Sequence, residues 1–338
     1  MMDEKNTNMK LYLYIFFALL PLFSCSQDKQ SSGDDSYRYA TNEKIPAEVK
    51  ASIHALDSLV LVAIQNGDTA FFQGIMSSRL KENSPNLSQT LRSFQQFVPA
   101  WDFEYKDEYW IRNAVPGTQH PVISRFMTYY INHESQAEEE YITLNLAEDS
   151  IRSFMILSIY TRKADGWELD AFRGGNYSVF GKTGLDYLEE SQDELSQGHI
   201  FNAYFNILLA KDLGKPCAPY FQYSQERDLL ALEDSLVALM NTDFLMPISI
   251  KEVLGNPEIM GAQPQVTDEG FVPLIFYETD ISLEDKPKLE KQCDQIHEQI
   301  ESIFPGVLSF SPYVFYRVFN RETKSTGRYY GFVKKRDE

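Results

Sequence analysis

The sequence predicts an α+β protein, and three observations predict it. Apolar residues recur at helical spacing over residues 46–97. Segments of strand length, rich in aromatic and β-branched residues, follow over 103–172. Helical spacing returns from Gly184, and a shorter mixture of strand and helix patterns fills the last part of the chain. Helices first and a long run of strands after, without strict alternation, is the α+β order.

Val49, Ile53, Leu56, Val60 and Ile64 mark one face of a helix that begins near Pro46 and that Gly67 ends. Asp68 caps a second helix carrying Phe71, Phe72, Ile75 and Met76, and a third spans 87–97. Strands are expected at 103–111, 122–131, 141–146, 154–162 and 167–172. Ile142, Leu144 and Leu146 alternate with polar neighbours, and Asp165-Gly166 is a hairpin signal between the last two strands. Gly174-Gly175 is expected to release the chain from the sheet, and Gly184 to precede the next helix.

Two helices then carry Leu185, Leu188 and Leu195, and Ile200, Tyr204, Ile207 and Leu208, with Gly198 between them. Ser224 is placed to cap another helix through Leu229, Leu232, Leu236 and Leu239. Residues 254–268, rich in Gly, Pro and Gln, are expected to form a connecting loop. A strand at 272–279, a helix at 285–304 stopped by Pro305-Gly306, and a strand pair at 313–319 and 328–334 complete a small α+β unit. The expected organisation is thus 1–24, 25–44, 45–175, 176–241 and 242–338: leader, tether, α+β domain, helical segment and C-terminal α+β unit.

Asn66-Gly67-Asp68 leading into Phe71-Phe72, and Asp165-Gly166-Trp167-Glu168-Leu169 in the last hairpin, resemble the NTF2-like superfamily over residues 45–175. The resemblance implies helices wrapped by a curved antiparallel sheet, forming a cone with a cavity. Enzymes of that kind set an acid-base pair on strands facing the cavity, where burial moves pKa values. By position, the residues to which this carries over are Asp107, Tyr129, His133 and Asp170. Phe103, Tyr105, Trp110, Phe126, Tyr130 and Trp167 are numerous enough to line a pocket or to fill the core, and core is the simpler reading.

The N-terminus carries its own signal. Lys10 precedes an apolar run over 11–23, of signal-peptide length and too short to span a bilayer. Leu22-Phe23-Ser24-Cys25 resembles the lipobox of bacterial lipoproteins, which implies cleavage before Cys25 and acylation of that cysteine. Phe23 is larger than the residue usual there. Asp3 and Glu4 are out of place in a leader, whereas a start at Met9 would put Lys10 next to the apolar run. Residues 26–36 are polar and suit a tether. Ser26 after the cysteine resembles outer-membrane sorting, so the expected place is the cell envelope.

Acidic residues outnumber basic ones 49 to 31, giving a net charge of −18 that disfavours nucleic acid as a partner. Gly-Lys-Thr at 181–183 ends like a phosphate-binding loop, but the glycine four residues further back is displaced by one, at Gly175, and Tyr177, Val179 and Phe180 fill the turn. Nucleotide is therefore not expected. His297-Glu298-Gln299-Ile300-Glu301 lacks the second histidine of a zinc protease helix, and its glutamates are expected on a solvated face. Glu138-Glu139-Glu140 is expected at a solvated strand entrance. No metal or cofactor is expected, and whether Cys217 and Cys293 pair is open. The reading that follows is an anchored envelope protein that binds a protein or a small apolar ligand without catalysis. The alternative is an acid-base enzyme of the isomerase, dehydratase or hydrolase type.

Overall fold

The computed structural model describes residues 38–97, 102–268, 270–323, 325 and 327–336. Cys25 and the lipobox lie outside the described residues. Arg38–Thr41, within the expected tether, forms β1. Next comes α1 (Ala47–Asn66), which follows Pro46 and stops where Gly67 turns left-handed at φ 65°. The Asp68 side chain accepts the Phe71 N–H and so opens α2 (Thr69–Ile75). A short α3 (Ser78–Glu82), capped by Ser77, precedes α4 (Leu87–Phe97).

The strand region begins with β2 (Phe103–Arg112). The single strand expected over 122–131 is instead two pieces, β3 (Val122–Ile123) and β4 (Tyr129–Ile131), joined by a turn in which Met127 has φ 57°. Long strands follow: β5 (Glu139–Glu148), β6 (Arg152–Lys163) and β7 (Gly166–Val179), then the short β8 (Lys182–Thr183). They form one antiparallel sheet in the order β1-β2-β5-β6-β7-β8.

Both faces of this sheet are covered. One packs on α1–α4 through Ile53, Val60, Ile64, Phe72, Tyr141, Ile156 and Leu169. The other packs Ile142, Leu144, Leu157 and Ile159 under Val122, Ile131 and Phe221. Strands buried on both sides lose the apolar-polar alternation of a one-faced sheet, which is why 154–160 reads as a nearly unbroken apolar run. Each fully buried Ile, Leu or Phe contributes about 1.5–3 kcal/mol.

The chain does not leave the sheet at Gly174-Gly175. Strand β7 runs through both glycines to Val179. Their role is close approach: a Cβ on Gly174 would lie 2.4 Å from Phe94 Cε1, and one on Gly175 would lie 2.3 Å from the Pro216 carbonyl oxygen. The turn comes later, at Phe180 and Gly181, with φ of 52° and 72°. A two-residue turn with both φ positive matches the twist of the flanking strands.

Thr183 and Asp186 form a capping box that opens α5 (Gly184–Ser196), and Gly198 separates it from α6 (Ile200–Asp212). The extended stretch β9 (Phe221–Tyr223) completes a small sheet in the order β3-β4-β9. Ser224 does not cap α7 (Glu226–Asp243). Its hydroxyl faces the Thr128 carbonyl at 3.1 Å and Gln225 Oε1 at 2.6 Å, and Gln225 holds the cap position without a side-chain capping bond.

The C-terminal sheet has the order β10-β11-β12-β13-β14, from β10 (Ile248–Ser249), β11 (Glu258–Thr267), β12 (Gly270–Thr279), β13 (Tyr313–Asn320) and β14 (Tyr330–Lys335). The loop expected over 254–268 is thus largely strand β11. Pro264 is tolerated there because β10 pairs only with Glu258 and Ile259, leaving the rest of that edge without a ladder. β12 and β13 are parallel, and α8 (Lys286–Ile303) makes the crossover, packing Leu289, Cys293, Ile296 and Ile300 on the sheet. A short α9 (Val307–Phe310) precedes β13. The protein is α+β throughout: helices on a curled antiparallel sheet, a helical segment, and a smaller helix-on-sheet unit. From Tyr37 onward its contacts form one compact unit.

Candidate functional site

The helix-facing side of the large sheet holds a polar network. Asp57 on α1 is fully buried and accepts hydrogen bonds from Tyr160 OH at 2.5 Å, Asn145 Nδ2 at 2.8 Å and Thr143 Oγ1 at 3.2 Å. Burial holds the Asp57 pKa above the usual carboxylate value despite these donors.

Next to it, Glu108 accepts from Lys50 Nζ at 2.7 Å, Tyr141 OH at 2.7 Å and His54 Nε2 at 2.5 Å. Burial pushes the Glu108 pKa up, but the Lys50, Tyr141 and His54 bonds outweigh it, and the net direction is down. The His54 ring stacks on Tyr105 with centroids 4.0 Å apart and planes within 9°.

A backbone irregularity builds this arrangement. The register of β2 against β5 shifts between Tyr105 and Asp107, so Lys106 is an extra residue. Without it Tyr105 and Glu108, three apart, would face opposite sides; with it both face α1. On α1, Lys50, His54 and Asp57 are four and three residues apart and share the opposing face. The Lys50 and His54 side chains are 30% and 33% exposed, so the buried network reaches solvent at this end. Its carboxylates, tyrosine hydroxyls and imidazole are groups of the kind that can hold and pass a proton, with the imidazole at the water side.

The residues singled out in the sequence lie elsewhere. Asp107 and Tyr129 do come together: the Tyr129 hydroxyl donates to Asp107, lies 3.1 Å from Tyr109 OH, and Asn42 Nδ2 donates to the same carboxylate at 2.9 Å. Burial holds the Tyr129 pKa well above its ordinary value. This cluster is on the face turned away from the helices. His133 is on that side too, its Nε2 2.7 Å from Glu140 Oε2, with Glu140 also accepting the Gln136 N–H at 2.6 Å. Glu140 is therefore a fully buried partner, not the solvated residue expected.

Asp170 is the extra residue of a bulge in β7, where it accepts from Ser77 Oγ at 2.6 Å and from the Arg79 guanidinium. It ties α3 to the sheet. Glu298 and Glu301 are exposed, as expected, and Glu301 also accepts the Gly306 and Leu308 N–H groups at 2.7 and 3.0 Å at the start of α9. His297 lies 2.8 Å from Tyr316 OH. Phe103, Trp110 and Trp167 pack against the core, whereas Phe126 is 78% exposed on the β3–β4 turn.

Two open spaces bear on binding. A hollow of about 250 Å³ lies between α2–α4 and β7, with Phe72, Met76, Leu80, Leu87 and Phe172 in its wall. A larger cleft of about 530 Å³ lies between α5, α6 and the start of β12. Glu190, Asp193 and Glu194 stand on its α5 wall, and Phe180, Tyr187 and Phe271 form an aromatic corner with centroid separations of 5.4 and 5.8 Å from Phe271. Asn206 on α6 and Phe310 on α9 complete it.

Sequence reading missed Asp57, His54 and Glu108, and it missed the cleft. The signal for the first was present: Asp57 falls on the apolar stripe of α1 between Ile53 and Val60, where a carboxylate needs internal partners. Among the described residues no three His, Cys, Asp or Glu side chains group as metal ligands, and no helix is long and apolar enough to cross a membrane. Compared with known proteins, the chain matches no family model, no curated protein and no solved structure.

Proposed function

We propose that the protein is an envelope lipoprotein, acylated at Cys25, whose α+β body binds a ligand without catalysis. The observation that carries the binding half is the cleft of about 530 Å³, within the range of sites for small molecules and built from three separate parts of the fold. The anchor half rests on the lipobox resemblance at Leu22–Cys25 and the polar stretch behind it. Two or three acyl chains give firm membrane attachment where one does not. Labelled palmitate fed to expressing cells should enter the wild type and not Cys25→Ser; equal labelling would remove the anchor. Mass spectrometry of what co-purifies with the full chain in mild detergent tests the binding half, and a chain that carries neither small molecule nor protein would count against it.

The second reading, an acid-base enzyme, is favoured by one observation: the His54–Glu108 pair at the mouth of a network containing a carboxylate of raised pKa. The resemblance to NTF2-like proteins supports it as well. A metabolite extract incubated with the anchorless chain should then lose a component that His54→Gln leaves intact. An unchanged extract in both arms would leave the binding reading in place.

A further inference from the structure

We propose that the cleft between α5, α6 and β12 is a site for a small organic cation, an ammonium or guanidinium group on an apolar body. The inference rests on the binding reading above and names the ligand class for that site. Glu190, Asp193 and Glu194 are three and four residues apart on α5, which puts three carboxylates on one wall. Glu190 is paired with Lys182, and Glu194 lies 2.8 Å from His199 Nδ1 and accepts from Asn202 Nδ2 at 3.1 Å. The Asp193 carboxylate has no ion pair or hydrogen bond among the described residues. The wall therefore carries negative charge that its neighbours do not neutralise, and an anion entering it would meet three carboxylates against one lysine.

The corner next to this wall is aromatic, and Tyr187 on α5 belongs to it. Phe271 meets Phe180 edge to face at 85° and Tyr187 at 82°. Ring faces attract cations, and the protein's own Lys182 already sits 5.7 Å from the Tyr187 centroid. Phe180 occupies a left-handed turn position at φ 52°, which favours Gly or Asn over a bulky residue. That unfavourable backbone places an aromatic ring in this corner.

The observation independent of charge is Asn206. It is 4% exposed, lines the cleft, and its carboxamide makes no hydrogen bond among the described residues. Buried amides are nearly always bonded, and this one, whose polar atoms are not fully enclosed, is left to water or a ligand in the cleft. A ligand that brings a hydroxyl or amide to Asn206 while its charged end stays beside Asp193 satisfies both. The net charge of −18 raises the local concentration of cations around the whole molecule.

The test is calorimetric titration of the full chain in mild detergent with choline and with phenethylamine, each against its uncharged isostere, 3,3-dimethylbutan-1-ol or 2-phenylethanol. The expected result is binding of an amine about tenfold tighter than of its isostere, weakened about threefold to tenfold in Asp193→Asn. Asn206→Ala should weaken binding of the hydroxyl-bearing choline more than that of phenethylamine, which has no hydroxyl to offer it, and equal weakening of both would overturn the polar contact at Asn206. Equal affinity for amine and isostere would overturn the cation assignment and leave a binding cleft. Absence of heat with all four probes would overturn the cation site, and the co-purification experiment then decides separately whether the binding reading survives.

Discussion

The Tyr160 hydroxyl donates a 2.5 Å hydrogen bond to the Asp57 carboxylate, tying the first helix to the middle of the large sheet at a point where neither side chain meets water. Asp57→Ala would strand the Tyr160, Asn145 and Thr143 donors as well as open a hole. A loss of about 2–4 kcal/mol is expected, measured as a lower urea midpoint with an unchanged slope.

Asp57 also sets a pH dependence. Burial raises its folded pKa above the ordinary 3.8, so between those two values the folded chain binds the proton more strongly than the unfolded one. Stability from this group is greatest below about pH 4 and declines as pH rises towards the folded pKa. Relative to Asp57→Asn, the wild type should therefore lose stability over that rise. A wild type that instead gains stability relative to Asp57→Asn as pH rises would refute the raised value.

Glu108 should behave in the opposite sense. Its pKa is held below the ordinary 4.5, the Lys50, Tyr141 and His54 bonds overcoming the effect of burial. Its contribution is complete above the unfolded pKa and is lost as pH falls through the folded one. Urea titrations of wild type and Glu108→Gln should converge as pH is lowered beneath about 4.5.

Gly175→Ala places a methyl against the Pro216 carbonyl, a backbone atom that cannot rotate away, and should cost about 1–3 kcal/mol. Gly74→Ala is the control. It lies in α2 with nothing within 4 Å of the added Cβ, and should stabilise by about 0.5–1 kcal/mol. Thermal melts of the two variants should move in opposite directions.

Cys217 and Cys293 are free and buried in separate cores, one beneath the small sheet and one on the sheet-facing side of α8. Burial raises both thiol pKa values, that of Cys293 to about 12. In Cys25→Ser, Ellman's reagent at pH 8 should therefore report no fast thiol until urea unfolds the chain. Rapid reaction of either would contradict its burial.

Much of this architecture was legible locally. Gly67 and Asp68 marked the end of α1 and the start of α2, Asp165-Gly166 marked the β6–β7 hairpin, and the stripe of Leu289, Ile296 and Ile300 marked α8. The misreadings share a cause: a local signal whose meaning depends on distant chain. Gly174-Gly175 break strands in isolation, yet here Phe94 and Pro216 need the missing side chains. Pro264 argues against a strand unless one edge is free, as it is on β11. The network was harder still, because Asp57 and Tyr160 are separated by more than a hundred residues. The Lys106 bulge that turns Tyr105 and Glu108 to one side leaves no trace in an alternation pattern.

The edges of the two sheets have a further consequence. The large sheet ends in β1, of four residues, and β8, of two; the C-terminal sheet ends in β14, bearing Lys334 and Lys335, and in β10, of two, beside a stretch of β11 that β10 leaves uncovered and that Pro264 interrupts. Short, lysine-bearing or proline-bearing edges offer a poor template for another chain's backbone. Were the chain acylated at Cys25 as proposed, its copies would meet at high local density on a bilayer surface, and these edges would let them collide sideways without zipping into a shared sheet.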